Sequence, residues 1–509
     1  MIELTGEHLS MHQLIDISRN HKQVSIAHAA RIRVDNARQS VIEILKARNV
    51  VYGINTGFGS LSDVRVADED LSHMQKNLLL SHACGSGERL SKDVVRGMIA
   101  LRVNALIKGY SGVRMRLIEQ MVIFLNEDIV PVVYAQGSLG ASGDLVPLAH
   151  MALPLIGEGE VLLDDQVVFA SHALKQKGIK PIETLAAKEG LALINGTQAM
   201  TSIGAHTLYD GYKTFLYATM GASLTFEALG GIVDVFNDNI HAVRPHPGQR
   251  TMAAMMRKTL GGSHNVSHQG DDHVQDAYSL RCVPQVHGAT LDALDYVHDV
   301  VVREMNSVTD NPLIFPGENK ALSAGNFHGQ PLALAFDYLA IALSELANIS
   351  ERRLERLVNS QLNQRFPPFL TKEKGRNSGF MIIQYVAASL VSENKTLSHP
   401  ASVDSIPSSA NKEDHVSMGT IAARKAAQIL KHTRKVAALE LFTAAQAVDF
   451  KGLSHMSGFN KQTYSLIRNK VPFIEEDTYM KPHMDAVEKL LLDDAFNLET
   501  LEAMLWRKA

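Results

Sequence analysis

The stretch PLALAFDYLAIALSELANISERRLERL, from Pro331 to Leu357, decides the fold class of this chain. Its apolar residues recur at spacings of three and four, which predicts a long amphipathic helix. These residues are Leu332, Ala335, Leu339, Leu343, Leu346 and Ile349. A second run, from Met418 to Val448, has an apolar stripe and many paired alanines, which let helices approach closely. Two helices of this length predict a mainly α fold with a long-helix bundle, either shared between subunits or built within one large monomer.

The sequence before these helices has a different pattern. Glycine-bearing loops alternate with helical patterns, notably at 51–60 and 82–90, and Ser10 with Gln13 is spaced as a capping box. Residues 160–169 predict a small peripheral β-hairpin. We therefore expect two domains, a smaller N-terminal one over 1–200 and a helical-bundle domain over 201–509.

Composition excludes several classes of protein. The 509 residues include 50 basic and 54 acidic side chains, a net charge of −4 that offers no basic surface for nucleic acid. Only Cys84 and Cys282 are present, too few for a disulfide framework. The sequence has no signal-peptide pattern and no run of about 18 apolar residues. We expect a cytoplasmic protein without membrane contact.

One segment of small residues carries unusual chemistry. In GSLGASGDLVPLAH, from Gly137 to His150, the tripeptide Ala141, Ser142 and Gly143 precedes an apolar, helix-like run. Because Gly143 has no side chain, its nitrogen can approach the Ala141 carbonyl carbon. Ring closure with loss of water, including the Ser142 hydroxyl, would give a 4-methylidene-imidazol-5-one, an electrophile that no side chain provides. The alternative is an ordinary flexible loop.

A self-made electrophile would explain why cofactor motifs are missing. The sequence has no Walker loop, no HExxH and no dinucleotide fingerprint, so no dissociable cofactor and no metal is expected.

The same segment resembles the signature of the aromatic amino acid ammonia-lyases. Other blocks resemble this family in the family's order, and together they cover essentially the whole chain. They are YGINTGFG at 52–59, EGLALINGTQ at 189–198, VQDAYSLRCVPQVHG at 274–288, NSVTDNP at 306–312, GNFHGQP at 325–331 and SENKTLSHPASVDSIPSSANKEDHVSMG at 392–419. The resemblance implies a long-helix bundle of the aspartase/fumarase-like type, in a homotetramer whose active sites are shared between subunits.

The resemblance also implies an activity and its residues. The reaction removes ammonia from an L-amino acid together with a β-hydrogen, and the electrophile would form autocatalytically from Ala141, Ser142 and Gly143. Tyr52 and Tyr278 would be the catalytic tyrosines. A phenol with a pKa near ~10 is a poor base at neutral pH, so Tyr52 would need a neighbouring positive charge or a helix N-terminus.

The remaining implied residues contact the substrate or the electrophile. Arg281, three residues after Tyr278, would grip the substrate carboxylate with two hydrogen bonds. Asn195 and Gln275 match polar contacts to the electrophile and substrate. Phe327 matches the aromatic residue beside the electrophile, and Gly59 would allow close backbone approach.

Two positions bear on which amino acid is used. His82, after Ser81, matches the histidine-using members, and a carboxylate at Glu413 could accept a hydrogen bond from an imidazole N–H but would be costly beside a phenyl ring. Lys412 and Ala277 depart from the usual pattern of those members, which have glutamine and proline there. L-histidine is therefore the expected substrate, with tyrosine or phenylalanine lyases and aminomutases as alternatives.

Histidine content leaves one alternative outside this family. The chain has 22 histidines, which suit a histidine-rich metal binder or a non-catalytic helical assembly protein, although none has a strong ligand spacing. Besides His82, only His415 is a functional candidate.

Overall fold

The computed structural model describes residues 1–47, 50–57, 64–271, 273–318, 320–363, 365–373 and 375–505. Most of them lie in α-helices. These are α1 (Met11–Ser18), α2 (His28–Lys46), α3 (Leu71–His82), α4 (Lys92–Leu106), α5 (Met115–Asn126), α6 (Leu145–Ala152), α7 (Ala170–Gln176), α8 (Glu189–Ile194), α9 (Gln198–Leu229), α10 (Asp238–Ala242), α11 (Pro247–Thr259), α12 (Tyr278–Arg281), α13 (Val283–Met305), α14 (Gln330–Val358), α15 (Ser360–Asn363), α16 (Met381–Leu397), α17 (Gly419–Lys451), α18 (Gly458–Arg468), α19 (Lys481–Leu492) and α20 (Glu499–Leu505).

Within the described ranges, the strands are short and form four small sheets. They are β1 (Ile2–Leu4), β2 (Val24–Ile26), β3 (Ser86–Arg89), β4 (Val130–Pro131), β5 (Tyr134–Gln136), β6 (Glu160–Leu163), β7 (Gln166–Phe169), β8 (Leu313–Phe315) and β9 (Lys320–Leu322). The β1 and β2 strands pair in parallel, whereas β3 with β5, β8 with β9, and the three strands β4, β6 and β7 pair antiparallel. The predicted mainly α fold is confirmed, since α14 and α17 contain both long helices expected from the sequence.

The chain forms two compact units. Unit 1 consists of Met1–Thr207, His298–Asp337 and Pro400–Arg424, and unit 2 of Leu208–Val297, Tyr338–His399 and Lys425–Ala509. This grouping differs from the predicted single boundary at residue 200, because unit 1 also takes in two later segments. Residues distant in sequence join one unit through packing that no local composition change marks.

Unit 2 contains the core of the helix bundle. Arg353 on α14 donates two hydrogen bonds to Glu440 on α17, at 2.6 and 2.8 Å, and both side chains are fully buried. Thr225 on α9 donates to the same carboxylate at 3.0 Å, and Arg353 contacts His287 on α13 at 3.2 Å. Because a buried charge is costly without partners, this network holds the four helices in one arrangement.

The α14 helix is long and apolar enough, by length and composition, to cross a membrane. In the folded chain 67% of its most apolar 18-residue window is buried inside the protein, as in the core helix of a soluble protein. Protein packing therefore accounts for its composition.

The predicted hairpin is confirmed as β6 and β7. Its turn consists of Asp164 and Asp165, with φ of 50° and 61°, as a two-residue turn with left-handed residues requires. Strand β4 adds to its other edge, so the sheet has three strands. The predicted capping box is also confirmed, because Ser10 Oγ accepts from Gln13 N at 3.2 Å and Gln13 Oε1 accepts from Ser10 N at 3.0 Å.

One expected loop is partly a strand. Residues 82–90 include β3, which pairs with β5 in unit 1. All four residues of β3 are exposed, so the segment lacks the alternation of apolar and polar residues that marks a strand in a sequence.

Candidate active site

A cavity of about 600 Å³ lies in unit 1 where helices α3, α6 and α8 pack together. Five residues singled out from the sequence line it: Tyr52, His82, Ser142, Asn195 and Glu413. His82 ends α3, Asn195 follows α8, Ser142 precedes α6, and the other two lie in loops. The fold thus brings together residues that are far apart in the chain.

The loop that carries Ser142 is a tight turn with left-handed backbone. Gly143 N donates to Gly140 O at 3.2 Å, and Ser142 has a φ of +53°, which is uncommon for a residue with a side chain. Gly143 has a φ of +82°, and a Cβ at this position would lie 2.1 Å from the Gly196 carbonyl oxygen. Only glycine fits at 143, because the loop lies directly against the Asn195–Gly196 backbone.

A buried carboxylate, Asp144, fixes the end of this loop. Asp144 N donates to Gly196 O at 2.7 Å, and its side chain accepts from Met200 N at 2.8 Å and Ser138 Oγ at 3.1 Å. Thr420 Oγ1 donates to it as well. Burial raises the pKa of Asp144 to about 6, although the hydrogen bonds that its carboxyl accepts from Thr420, Met200 and Ser138 act to lower it.

Ion pairs hold α8, the helix that lines the cavity with Leu191 and Ile194. The fully buried Glu189 accepts from Arg114 Nε at 2.8 Å and from Arg114 Nη2 at 2.6 Å. The equally buried Lys188 pairs with Asp310 at 2.6 Å, and burial lowers the pKa of this lysine. These contacts fix the helix that ends at Asn195.

Asn195 has a polar atom without a partner. Its Oδ1 is buried and, within the part of the chain that the structure describes, accepts no hydrogen bond. Unpaired buried polar atoms are rare because each costs roughly 1–3 kcal/mol. An unsatisfied oxygen in a cavity-lining residue indicates a ligand or chemical group that would supply a donor.

Glu413 occupies a strained loop next to Ser142. Ser142 Oγ donates to Glu413 Oε1 at 3.0 Å, and Ser408 Oγ donates to Oε2 at 3.1 Å. Two backbone hydrogen bonds between Ser408 and Glu413 close the loop, and the three residues after Ser408, at 409–411, all have positive φ. Left-handed backbone costs roughly 1–2 kcal/mol per residue, so the surrounding packing must fix this loop.

His82 lies beside this carboxylate. Burial lowers the pKa of His82 below its ordinary value, while the nearby Leu78 backbone and the charge of Glu413 act in the opposite direction. Ser81 Oγ is 3.0 Å from His82 Nδ1. A neutral imidazole and a carboxylate together give this end of the cavity hydrogen-bond acceptors.

Sequence reasoning missed several residues of the cavity. On α3, Met74, Asn77 and Leu78 line it together with Ser81 and His82, at spacings of three and four that a helical pattern could have revealed. Ser409 also lines the cavity. Apolar side chains cover much of the remaining wall; they are Val64, Val66, Leu145, Leu191 and Ile194.

A second cavity of about 250 Å³ also borders the small-residue loop. Ala141 and Gly143 line it, and it shares His82 and Glu413 with the larger cavity. All three residues of the tripeptide therefore line one or the other of two neighbouring cavities in unit 1.

Other sequence-predicted residues lie elsewhere. Gln275, Tyr278 and Arg281 belong to unit 2, where Tyr278 is 70% exposed and the Arg281 guanidinium lies 4.5 Å from its ring centre. Phe327 is half-buried in unit 1 but is not among the described lining residues of either cavity. Gly59 lies outside the described residues.

The structure also gives the surroundings of Ala277, Lys412 and His415. Ala277 precedes α12 with a φ of −63°, the value that proline would impose, so alanine leaves the backbone unchanged here. Lys412 is exposed. His415 is exposed, stacks on the His328 ring at 5.5 Å, and does not line the described cavities.

Comparison with known proteins places this site in a family context. Residues 9–469 match the model of the family described as aromatic amino acid lyase. A histidine ammonia-lyase from Caldanaerobacter subterraneus is 50% identical over 508 residues, covering 98% of this chain and 99% of the relative. The structure is similar to that of the histidine ammonia-lyase from Trypanosoma cruzi, with a TM-score of 0.91, 40% identity and coverage of 99% and 95%. It is also similar to tyrosine aminomutase from Streptomyces globisporus, with a TM-score of 0.93, 35% identity and coverage of 100% and 99%.

Proposed function

Because this chain belongs to the aromatic amino acid lyase family, we propose that it converts L-histidine to trans-urocanate and ammonia, the first step of histidine breakdown. Its membership bears out the resemblance expected from the sequence. The relatives named histidine ammonia-lyase support the choice of substrate.

The observation that carries this proposal is the position of Glu413. Its carboxylate lies 3.0 Å from the Ser142 hydroxyl and shares a cavity with His82. An imidazole ring can donate a hydrogen bond to a carboxylate, whereas a phenyl ring would leave the charge desolvated and unpaired. The ring of histidine therefore suits this end of the cavity.

We further propose that Ala141, Ser142 and Gly143 form a 4-methylidene-imidazol-5-one. The residues fit this group, because Gly143 has no room for a side chain, Ser142 carries the hydroxyl that would leave, and Ser142 lines the cavity. The group would supply an electrophile that makes the substrate amine a better leaving group. Loss of the Ser142 hydroxyl as water would also free Glu413 Oε1 for the substrate ring.

The side chains of this chain would bind the substrate and move its proton. Tyr52 lines the cavity with Ser142, which suits removal of the β-hydrogen. The apolar wall excludes water and strengthens polar contacts to the substrate. Arg281 would bind the substrate carboxylate, Gln275 and Asn195 would contribute polar contacts, and Phe327 would pack beside the electrophile.

Exposed apolar side chains in unit 2 support a homotetramer with shared sites. They include Tyr296, Tyr338, Ile341, Ile382 and Tyr385, each 45–58% exposed. Burial of such residues between subunits is typical of obligate assemblies. With Tyr278 exposed in unit 2, we propose that Gln275, Tyr278 and Arg281 serve the cavity of a neighbouring subunit, in a cytoplasmic enzyme.

A second candidate is turnover of tyrosine by the same chemistry. The similarity to a tyrosine aminomutase at 35% identity favours this alternative over other substrates. A charged residue at 413 and a histidine at 82 could also bind a phenol hydroxyl.

The decisive experiment is a substrate panel on the purified chain. We expect turnover of L-histidine to urocanate, followed by absorbance, and much slower turnover of L-tyrosine and L-phenylalanine. Ser142→Ala should remove both the activity and the methylidene absorbance while far-UV circular dichroism is retained. No activity on L-histidine would overturn the proposed substrate, and full activity in Ser142→Ala would overturn the proposed electrophile.

A further inference from the structure

The hydroxyl of Ser81 lies between a backbone carbonyl and the His82 ring. Ser81 Oγ is 3.2 Å from Leu78 O and 3.0 Å from His82 Nδ1. A carbonyl oxygen can only accept, so the single hydroxyl hydrogen of Ser81 points to Leu78. The serine oxygen is then left to accept a hydrogen from His82 Nδ1.

The protonation state of the ring agrees with a hydrogen on Nδ1. Burial lowers the pKa of His82, so the ring is neutral at pH 7 and carries one hydrogen. If that hydrogen is on Nδ1, Nε2 carries a free lone pair.

We infer that Ser81 is a positioning residue that fixes the Nδ1–H tautomer of His82 and so presents Nε2 to the cavity as a hydrogen-bond acceptor. Ser81 and His82 line both cavities beside Glu413. Across the described residues, His82 Nε2 has no hydrogen-bond partner of its own, which leaves it available to a ligand. The inference rests on the proposed function, because two neighbouring acceptors select a substrate that donates, such as the imidazole N–H or ammonium of L-histidine.

Replacement of the hydroxyl tests this inference. In Ser81→Ala the serine oxygen that accepts from Nδ1 is lost, so a mixture of tautomers forms and part of the population presents an N–H instead of a lone pair. We expect kcat/KM for L-histidine to fall roughly two- to twelvefold, the range expected for one net hydrogen bond. Ser81→Thr keeps the hydroxyl and should retain activity close to wild type. Because Ser81 is exposed, both variants should have the wild-type thermal midpoint.

A double-mutant cycle separates this role from a structural one. In a His82→Ala background there is no ring to orient, so adding Ser81→Ala should change kcat/KM no further. A serine that merely stabilised the end of α3 would lower activity equally in both backgrounds. Equal losses in the two backgrounds, equal losses in Ser81→Ala and Ser81→Thr, or a wild-type value in Ser81→Ala would each overturn the inference. Failure of the wild-type chain to use L-histidine would instead overturn the proposed function, so the two failures are distinguishable.

Discussion

The two carboxylate oxygens of Glu413 have different surroundings. Oε2 accepts from Ser408, which belongs to the same short loop, whereas Oε1 accepts from Ser142, 271 residues earlier in the chain. In the proposed maturation the Ser142 hydroxyl leaves as water, and Oε1 loses its donor. A carboxylate oxygen freed beside the apolar side chains of the cavity would bind a substrate N–H strongly.

Glu413→Gln tests the charge at this position. The amide keeps the size of the side chain but replaces a charge-assisted hydrogen bond with a neutral one, so kcat/KM for L-histidine should fall roughly 10- to 100-fold. The ratio of L-histidine to L-phenylalanine turnover should fall as well, because an uncharged side chain is less costly beside a phenyl ring. Steady-state kinetics with both substrates provides the measurement.

Asp414→Asn is the matched control, since it removes one charge from the adjacent, exposed residue. It should leave both rates near wild type. If the two variants lost activity equally, the effect would be one of net charge in the loop and Glu413 would have no specific contact with the substrate ring.

At the scale of elements, the small-residue loop is held by its contact with the backbone that joins α8 to α9. Gly143→Ala places a Cβ where the Gly196 carbonyl oxygen lies 2.1 Å away, so the loop must move. We expect loss of the methylidene absorbance and at least a 100-fold loss of activity. Ultraviolet difference spectra and activity measure the two effects.

Gly178→Ala controls for backbone strain. Gly178 has a φ of +68°, but no atom of the described residues lies within 4 Å of the position that a Cβ would take there. The substitution therefore incurs only the left-handed cost of roughly 1–2 kcal/mol. Retained absorbance and activity are expected. If Gly178→Ala and Gly143→Ala behaved alike, backbone strain alone would explain both, and the contact with Gly196 would not matter.

The N-terminus of α9 is tied to the same loop through Asp144, and this tie depends on pH. The pKa of Asp144 is raised from 3.8 to about 6, so the folded chain holds this proton more tightly than the unfolded chain. Its contribution to stability is therefore fully present below about pH 4 and is lost as the pH rises through about 6. The total change is on the order of 3 kcal/mol, at about 1.4 kcal/mol per pKa unit.

Asp144→Asn removes the titration and isolates it. From pH 5 to 7.5 the wild-type chain should lose thermal stability relative to this variant, because only the wild type must ionise a buried carboxyl. Thermal midpoints measured at each pH give the difference between the two chains. A difference that stays constant over this range would contradict the raised pKa.

At the scale of the whole molecule, local sequence patterns predict the long helices, but they do not predict how distant segments group into the two compact units. The 3.6-residue periodicity of the region that became α14 survives burial, so Pro331 to Leu357 was sufficient to predict a long helix. Strand β3 gave no such signal, because its four residues are all exposed. The two later segments of unit 1 were not predictable either, since their grouping depends on long-range packing.

In the candidate site too, some residues were predictable from sequence motifs and others only from the folded chain. Glu413 and Ser142 were found through motifs, and their 3.0 Å contact agrees with a shared role. Met74 and Asn77 were missed because a helical stripe in a sequence does not indicate which cavity it lines. The unpaired oxygen of Asn195 and the left-handed φ of Ser142 are properties of the folded chain and have no sequence signal.

The proposed assembly depends on the exposed apolar residues of unit 2. Tyr296 and Tyr338 make an edge-to-face contact at 5.9 Å and are about half exposed, so their outer surfaces are available to another subunit. Ile341 on α14 and Tyr385 on α16 are 47% and 58% exposed. If the helix bundle is shared between subunits, apolar side chains that are buried in the assembly are exposed in the isolated chain, as they are on these helices.

Charge introduced at this surface should separate the subunits. In the double variant Ile341→Glu and Tyr385→Glu, two carboxylates would be buried without partners, and each costs several kcal/mol. Light scattering after size exclusion should show the mass fall from four chains to fewer, and activity should be lost because Tyr278 and Arg281 no longer reach a neighbouring cavity. Phe169→Glu, at a side chain of unit 1 that is 71% exposed, should leave both mass and activity unchanged. A monomeric double variant with full activity would show that each chain builds its site alone.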